Sequence, residues 1–505
     1  MKSKKLLWAI IPMFALVGMS LSACGGPGEG TGTDDPIPEN PNDQTPENPN
    51  PEGPVMKNKV EVVLASTAGK SNQVVLEKLI EEFKEVEPNV TIVNKKVEGN
   101  YAAMAKNVID GFATGEHPDM TLVYPDAVAD FIDYGFAFDL EDYMDNETYG
   151  WTEEEFNDIV PEFLKEGQKY VMEGTYSLPF SKSTEVIYYN ADKIFGIKLS
   201  GVNNGNPINE AYMNSLTWEE FFGNLCPKII AYSNTAEGAS LFDKSDDKYA
   251  VLGYDSDANF FITLCEQYGI PYTSIDASGT GSADFGTPES KILLENLNKF
   301  TKEHYIVTQK GIGENVDKYF KANKTLFSIG STGGASYQYD SKNPTKLYVA
   351  PVPQAKGKDK KVILQGPSMA FLKHKKGAEW DEDRQLASWL FYKFATTQEN
   401  SLLWSTETNY LPIRTSVYES DDYKDTYDES AISDKKSYDA LTARIANLAP
   451  NLTSYYFTSP AFKGSNTCRS AVEAMVGKAC TATNDAKDAQ KWLDDAITES
   501  NKAIG

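Results

Sequence analysis

The sequence has few histidines and cysteines, the residues that most often bind transition metals. Its 505 residues include three histidines and five cysteines, and no two cysteines form a C-x-x-C pair. Zinc sites need clustered cysteine and histidine ligands. We therefore expect neither a structural nor a catalytic zinc site, and no other pattern in the chain implies a cofactor.

Basic residues are also scarce relative to acidic ones. Lysine and arginine total 48 against 73 aspartates and glutamates, which gives a formal net charge of −25. Binding to nucleic acid needs clustered basic side chains that neutralise phosphates. The charge balance therefore argues against a nucleic-acid partner and indicates a solvated acidic surface.

Long apolar runs are missing after the first few residues. Met1 to Lys5 carries three lysines, and Leu6 to Leu21 is apolar. That run has the length of a signal-peptide core and is short for a membrane span. It ends in Leu-Ser-Ala-Cys at Cys24, which looks like a lipobox. We expect residues 1–23 to be a lipoprotein signal peptide and Cys24 to carry the lipid at the extracytoplasmic face of the cell membrane. The alternative is a transmembrane anchor.

Residues 24–57 contain mostly Pro, Glu, Asn, Asp and Gly. Such a segment buries too little apolar surface to offset its ordering entropy, so it is predicted to be a disordered tether. Four further cysteines follow it, at positions 226, 265, 468 and 480. Outside the cytosol an even number permits disulfides. Cys468 and Cys480 are close enough in sequence to pair, and free buried thiols are the alternative.

The remaining chain of about 450 residues is too long for one core and suggests two or more lobes. Its first part alternates strand and helix patterns. Val60–Ala65, Val90–Val93 and Asp119–Tyr124 are strand candidates. Apolar residues recur at helical spacing between them. This alternation predicts a parallel sheet with helices on both faces, where ligands bind at the carboxyl ends of strands.

The stretch Tyr176–Ile197, YSLPFSKSTEVIYYNADKIFGI, combines a loop, a strand and a capped helix. Together with TWEEF at Thr217–Phe221, it resembles the extracellular solute-binding proteins of sugar ABC importers, and most closely their glycerol-phosphate-binding branch. Trp218 in that motif is predicted to be a packing residue. Similar motifs recur in order as far as the last helix near Trp492, so the resemblance covers almost the whole folded part.

The resemblance implies an α/β, two-lobe fold of the type II periplasmic-binding-protein kind. Two mixed, mainly parallel sheets would be flanked by helices, with hinge crossovers near residues 184, 328 and 367. Lobe 1 would contain residues 58–184 and 328–367, and lobe 2 residues 185–327 and 368–505. The implied function is a monomeric, non-enzymatic binding protein that delivers a carbohydrate to membrane permease subunits.

The same resemblance implies a ligand site in the cleft. Tyr101 stands in EGNYAAM, similar to a K-G-T-Y ligand motif, and Tyr410 stands in TNYLP, similar to T-G-Y-L-P. Ser331-Thr332-Gly333 and Gly366-Pro367-Ser368 resemble two further crossing loops. The first of these lacks the G-K-[ST] ending of a nucleotide-binding loop. The predicted ligand-binding residues are Tyr101, Asp126, Ser183, Thr184, Tyr254, Ser331, Thr332, Gly366 and Tyr410.

Three departures from the branch count against glycerol phosphate as the ligand. Pro125 occupies its acidic position, which leaves Asp126 as a neighbour. Tyr254 is the nearest aromatic residue where the branch has tryptophans. Ser459–Gly464 lacks the phosphate-binding arginine, and Arg469 matches a later arginine of structural type. The sequence therefore leaves the identity of the carbohydrate open.

The same residues allow other interpretations. Asp255, Asp257 and Asn259 match ligand positions of a calcium loop, but Phe260 replaces its glycine, so a binding loop before a helix is favoured. A surface glycoside hydrolase would need two cleft carboxylates, for which Asp126 and Glu185 are the candidates. A carbohydrate adhesin or scaffold is the third class, and it predicts no closure on a small ligand.

Overall fold

The computed structural model describes residues 54–505. The predicted signal peptide, the lipidation site Cys24 and the tether up to residue 53 lie outside these residues. The strands are β1 (Val60–Ser66), β2 (Val90–Lys96), β3 (Met120–Val123), β4 (Ser177–Pro179), β5 (Ser183–Asn190), β6 (Ala250–Tyr254), β7 (Thr273–Ile275), β8 (Gly281–Ala283), β9 (Ile306–Thr308), β10 (Thr325–Ser331), β11 (Leu347–Pro351), β12 (Val362–Gln365), β13 (Ser368–Phe371), β14 (Lys375–Lys376), β15 (Glu379–Trp380) and β16 (Tyr456–Phe457).

The helices of the same residues are α1 (Lys70–Val86), α2 (Tyr101–Phe112), α3 (Pro125–Asp133), α4 (Glu141–Met144), α5 (Glu153–Asp158), α6 (Pro161–Glu166), α7 (Ala191–Ile194), α8 (Glu210–Met213), α9 (Trp218–Glu220), α10 (Cys226–Tyr232), α11 (Asp257–Tyr268), α12 (Pro288–Lys302), α13 (Gln309–Ile312), α14 (Val316–Lys321), α15 (Ala335–Gln338), α16 (Glu382–Ala395), α17 (Gln398–Thr408), α18 (Thr415–Glu419), α19 (Asp421–Thr426), α20 (Tyr438–Leu448), α21 (Ser465–Ala479) and α22 (Ala489–Ile504). Within this part of the chain, no helix combines the length and apolar character that crossing a bilayer requires.

Two large sheets organise these elements. The first has the strand order β2-β1-β3-β13-β4, and β1 pairs in parallel with both β2 and β3. The predicted parallel pairing of the first three strands is therefore confirmed. The second sheet has the order β16-β12-β5-β10-β6-β9, with β11 also paired to β5. The α/β fold with two mixed sheets is as expected.

Antiparallel pairs are as frequent as parallel ones in these two sheets, so "mainly parallel" overstates the arrangement. The reason is that two strands next to the crossings run against their neighbours. Strand β5 is antiparallel to β10, β11 and β12. Strand β13 is antiparallel to β3 and β4.

Strand pairing divides the chain differently from the expected lobe boundaries. Strands β10, β11 and β12, expected in lobe 1, belong to the second sheet, and β13, expected in lobe 2, belongs to the first. We therefore define lobe 1 as residues 54–182 and 366–427, and lobe 2 as residues 183–365 and 438–505. The chain crosses between β4 and β5, between β12 and β13, and between α19 and α20. The expected crossover near residue 328 is wrong, because Ser328 lies inside β10.

Each lobe has its own apolar core. In lobe 1, the predicted helical residues Leu76, Leu79 and Phe83 of α1 are buried, and Phe83 contacts Phe391 edge to face at 5.3 Å between ring centroids. In lobe 2, Trp218 is 3% exposed. Its ring stacks on Phe222 at 5.6 Å, so it is a packing residue as predicted.

The folded body begins before residue 57, which corrects the expected end of the tether. The main-chain N–H groups of Val55 and Met56 donate to the carboxylate of Glu87 at 2.8 and 3.1 Å. The Asn89 side chain donates to the Met56 carbonyl at 2.8 Å. The Met56 side chain is buried in the core of lobe 1. Residues 55–57 are therefore part of lobe 1.

A buried ion pair joins two of the crossings. Lys182 Nζ lies 2.5 Å from Glu166 Oε2, and both side chains are almost fully buried. The same ammonium donates to the Gly366 carbonyl at 2.8 Å, and the Ser368 hydroxyl donates to Glu166 at 3.0 Å. The first and second crossings are thus bonded to each other and to α6 of lobe 1.

All four cysteines of the described residues are free and buried. A bridge between Cys468 and Cys480 is excluded because they stand at opposite ends of α21. Twelve residues of helix separate them by about 18 Å, which is far beyond the reach of a disulfide.

Candidate functional site

A cavity of about 270 Å³ lies where the two lobes meet. Lobe 1 contributes residues from the starts of α2 and α3, and lobe 2 contributes residues from β5, β10, β12, α21 and the start of α11. The lining residues are Asn100, Tyr101, Ala102, Tyr124, Ala127, Glu185, Asp255, Ser256, Ala258, Asn259, Gly330, Ser331, Gln365, Asn466, Arg469, Ser470 and Glu473.

Strand ends position most of this lining. Tyr124 follows β3 directly, Asp255 follows β6, and Ser331 is the last residue of β10. Tyr101 opens α2, whose start is fixed by the Asn100 side chain accepting from Ala103 N at 3.0 Å. The cavity therefore lies at the carboxyl ends of these strands, as expected for an α/β sheet.

Glu185 is a fixed acceptor in the cavity wall. Its carboxylate accepts hydrogen bonds from the Tyr254 hydroxyl at 2.5 Å, from Asn259 Nδ2 at 2.9 Å and from Gln365 Nε2 at 2.9 Å. Burial raises the pKa of Glu185 to about 7, against the opposing effect of these donors. Three donors from three separate elements hold the carboxylate in one orientation.

Asp255 is the acidic group that is left without a protein partner. Its side chain makes no hydrogen bond within residues 54–505, although it faces the cavity. Burial raises its pKa to about 6. A desolvated carboxylate without donors gains most from a ligand that brings a hydroxyl or N–H group.

Arg469 lines the cavity, whereas the sequence predicts an arginine of structural type at this position. Its guanidinium donates to Asn259 Oδ1 and lies over the Tyr124 ring, 5.5 Å from the centroid. No carboxylate of the described residues lies within 4.0 Å of it. The signal for this role is the helical spacing of Asn466, Arg469, Ser470 and Glu473, which places all four on one face of α21.

Tyr101 and Tyr124 form an aromatic wall of the cavity. Their rings meet edge to face at 4.9 Å. Tyr410 stands behind them, where its hydroxyl interacts with that of Tyr101. Its ring stacks near Trp404 at 6.3 Å, and a Cβ at Gly333 would lie only 2.9 Å from it. Tyr410 therefore supports Tyr101 and does not itself line the cavity.

Of the nine predicted residues, the structure brings only Tyr101 and Ser331 to the cavity surface. Ser183, Thr184 and Thr332 are fully buried at the crossing. Thr184 N donates to the Thr332 hydroxyl at 3.2 Å, and the Thr184 hydroxyl donates to the Ile363 carbonyl at 3.0 Å. The two threonine hydroxyls thus bond the protein main chain instead of opening to the cavity.

The other predicted residues also support the site from outside it. The Tyr254 hydroxyl donates to the Glu185 carboxylate, and the Tyr254 ring is fully buried. Asp126 faces Ser465 and Arg469 of the opposite lobe. Gly366 has a φ of +85°, and a Cβ there would lie 1.9 Å from the Ser181 carbonyl oxygen. Only glycine fits this turn between the two sheets.

Two α/β lobes joined by crossings, with a polar cavity between them, define a periplasmic binding protein of type II. The model of the family described as bacterial extracellular solute-binding protein matches residues 78–432. The chain belongs to this family, whose members act outside the cytoplasm.

Individual relatives are distant. The chain is 23% identical over 370 residues to the sn-glycerol-3-phosphate-binding periplasmic protein UgpB of Salmonella typhimurium, covering 71% of this chain and 75% of that protein. The structure of UgpB from Mycobacterium tuberculosis in complex with glycerophosphocholine is similar with a TM-score of 0.65 and 15% identity, covering 88% and 98% of the two chains. The structure of the cyclic alpha-maltosyl-1,6-maltose binding protein from Arthrobacter globiformis is similar with a TM-score of 0.62 and 16% sequence identity. The similarity covers 90% of this chain and 99% of that chain.

Proposed function

We propose that this protein is the solute-binding component of an ABC importer and binds a neutral carbohydrate or polyol between its lobes. It has no enzymatic activity of its own. Cys24 carries the lipid that anchors it at the extracytoplasmic face of the membrane. The liganded protein delivers its cargo to the permease subunits.

The observation that carries the proposal is the polar lining of the interlobe cavity. Hydroxyl-rich ligands need fixed acceptors and donors, and the wall offers Glu185, Asp255, Asn259, Gln365 and the guanidinium of Arg469. Tyr101 and Tyr124 add aromatic surface for the apolar face of a sugar ring. The volume of about 270 Å³ is near the lower limit of roughly 300 Å³ for small-molecule sites, which suits a mono- or disaccharide.

The charge of the cavity argues against a phosphate ester, although several relatives are named for glycerol phosphate. One arginine, Arg469, stands among three carboxylates, Glu185, Asp255 and Glu473. The N-terminus of α21, which would otherwise attract an anion, is already faced by Asp130 at 3.0 Å from Gly464 N. A ligand phosphate would therefore find one cationic side chain in the lining, Arg469, and would have to lie beside the Asp255 carboxylate, which has no protein partner in the described part of the chain.

A thermal-shift panel tests the proposal. Neutral mono- and disaccharides, polyols and sn-glycerol 3-phosphate are each added to the wild-type protein and to Glu185→Gln. Saturation at 100 times the dissociation constant stabilises the native state by about 2.7 kcal/mol. We expect a neutral compound to raise the melting temperature of the wild type, and Glu185→Gln to lose most of that rise.

The matched control is Glu499→Gln, an exposed glutamate on α22 that is not among the lining residues, which should respond as the wild type does. Stabilisation by the phosphate ester alone would contradict the proposed ligand class. Release of shorter sugars from an oligosaccharide would instead identify a glycoside hydrolase.

A further inference from the structure

Three aspartates of lobe 1 stand on one face of α3. Asp126, Asp130 and Asp133 are four and three residues apart, so they follow each other along the helix surface. They face the first turn of α21, which belongs to lobe 2. Asp130 Oδ1 accepts from Gly464 N at 3.0 Å, and Asp133 lies 3.1 Å from Lys463 Nζ. Ser465 and Arg469 of α21 lie close enough to Asp126 to oppose the rise of its pKa.

Helix α21 has no cap of its own. Its N-cap residue is Gly464 at a φ of +86°, which offers no side chain to accept a hydrogen bond from the first turn. A Cβ at this position would lie 2.8 Å from the main chain of Ala503, so glycine is required. At the positive end of this 15-residue helix, Ser465 N donates to the Phe462 carbonyl of its own lobe at 2.9 Å. The N–H of Gly464 finds its acceptor, Asp130, on the opposite lobe.

The contact is partly desolvated. Burial raises the pKa of Asp130 to about 6, against the effects of the Gly464 hydrogen bond and of Lys463. Burial also raises the pKa of Asp126, which Arg469 and Ser465 oppose. Charges in such a contact are screened less by salt than those on an exposed surface. The contact between α3 and α21 is therefore less sensitive to salt than an exposed ion pair, and the Gly464 hydrogen bond and the charge of Lys463 offset part of the cost of burying Asp130.

We propose that α3 caps α21 across the cleft and acts as an electrostatic latch that sets the balance between open and closed lobes. None of the three aspartates lines the cavity. Because α21 carries Arg469 and Asn466 into the cavity, closing the latch also brings these side chains towards Tyr101 and Tyr124.

The latch therefore controls ligand affinity through the closed population. When the binding-competent state is only fractionally populated, the apparent dissociation constant rises in inverse proportion to that fraction. This effect on affinity rests on the proposed function. The effect on closure does not, because it is present without a ligand.

The test compares Asp130→Asn with Asp110→Asn. Asn keeps an acceptor for Gly464 N but removes the charge. Asp110 is the matched control: it is also a lobe 1 helical aspartate, paired with Lys106 at 2.5 Å, but it makes no contact with lobe 2. Spin labels at Lys84→Cys on α1 and Lys491→Cys on α22, both exposed, report the interlobe distance in the unliganded protein.

We expect Asp130→Asn to raise the ratio of open to closed molecules about twofold to thirtyfold, the range from exposed to partly buried charges at a helix N-terminus. Asp110→Asn should leave the distance distribution unchanged. An unchanged distribution in Asp130→Asn overturns the latch, whether or not any ligand is found.

With a ligand from the thermal-shift panel, we expect Asp130→Asn to weaken binding by the same factor, mainly through faster dissociation. A weaker affinity with no change in the unliganded distances also overturns the latch, since Asp130 would then act on the ligand directly. If no compound binds, the proposed function fails while the distance measurement still decides the latch.

Discussion

The buried ion pair between Lys182 and Glu166 offers the sharpest prediction about stability. Both groups are out of water, and the pair closes at 2.5 Å with one further hydrogen bond on each side. Removing one partner leaves a buried charge without its counterion. We expect Lys182→Met to lower the free energy of unfolding by about 3–5 kcal/mol.

The double variant Lys182→Met with Glu166→Gln separates the charge from the packing. Because neither buried charge remains, its cost should be smaller than the sum of the two single costs by about 2 kcal/mol or more. Urea unfolding followed by circular dichroism measures the free energy of unfolding of the wild type, the two single variants Lys182→Met and Glu166→Gln, and the double variant. Additive costs would refute the reasoning, since they would mean that the two side chains do not interact.

An exposed pair of the same length provides the control. Lys106 and Asp110 are also 2.5 Å apart, but their side chains are 74% and 63% exposed. Water and salt screen such a pair, so Lys106→Met should change stability by no more than about 0.5 kcal/mol. A comparable loss at both sites would show that burial is not the cause.

The pH dependence of the buried pair has a defined sign. Burial lowers the pKa of Lys182, and Glu166 opposes that effect. In Glu166→Gln the opposing effect is gone, so the folded state binds fewer protons than the unfolded state. The stability of this variant, relative to the wild type, should therefore rise between pH 7 and pH 9. A fall over that range would contradict the assignment.

Three further outcomes follow from the structure. Burial raises the pKa of Glu185 to about 7 and that of Asp255 to about 6. The folded state thus holds extra protons below these values and loses that stabilisation as the pH rises through them, so the melting temperature should fall from pH 5 to pH 8; a rise would contradict this. Trp218→Ala should lower the free energy of unfolding in urea by about 3–5 kcal/mol, because it leaves a cavity in the core of lobe 2. A decrease below about 1 kcal/mol would mean that neighbouring side chains fill this cavity. Gly366→Ala should cost about 2 kcal/mol or more, since its Cβ would meet the Ser181 carbonyl at a positive φ, and a neutral change would show that the turn can relax.

Local patterns in the sequence predicted local structure well. The alternation of Val60–Ala65, Leu76, Leu79 and Phe83 depends on spacing within one strand and one helix, and both elements lie where they were expected. The membership of β10 in the second sheet was not predictable in the same way. Its apolar run fits either sheet, and only pairing with β5, far away in the sequence, decides between them.

The site shows the same division between local and distant information. Tyr101 comes after β2 and Ser331 ends β10, and the rule about strand ends places them in the cavity. Thr184 and Thr332 stand in equally polar stretches, yet the Thr332 hydroxyl accepts from Thr184 N and the Thr184 hydroxyl donates to the Ile363 carbonyl of β12. No motif distinguishes a hydroxyl that faces a ligand from one that secures a crossing.

Two features were missed because their partners are distant in sequence. Met56 belongs to lobe 1 through Glu87 and Asn89, about thirty residues away. Arg469 reaches the cavity only because α21 begins at Ser465 and is held against α11. The spacing of Asp126, Asp130 and Asp133 can be read from the sequence, but that they face α21 depends on the fold, as does the lack of a side-chain cap on that helix.

Calorimetric titration decides whether a neutral carbohydrate binds between the lobes. The titrant is the neutral saccharide that stabilises the protein most, with sn-glycerol 3-phosphate as the comparison. We predict one binding site per chain, a loss of affinity of tenfold or more in Asp255→Asn, corresponding to about 1.4 kcal/mol, and no heat from glycerol phosphate. Binding of glycerol phosphate alone, or unchanged saccharide affinity in Asp255→Asn and Glu185→Gln together, would contradict the account.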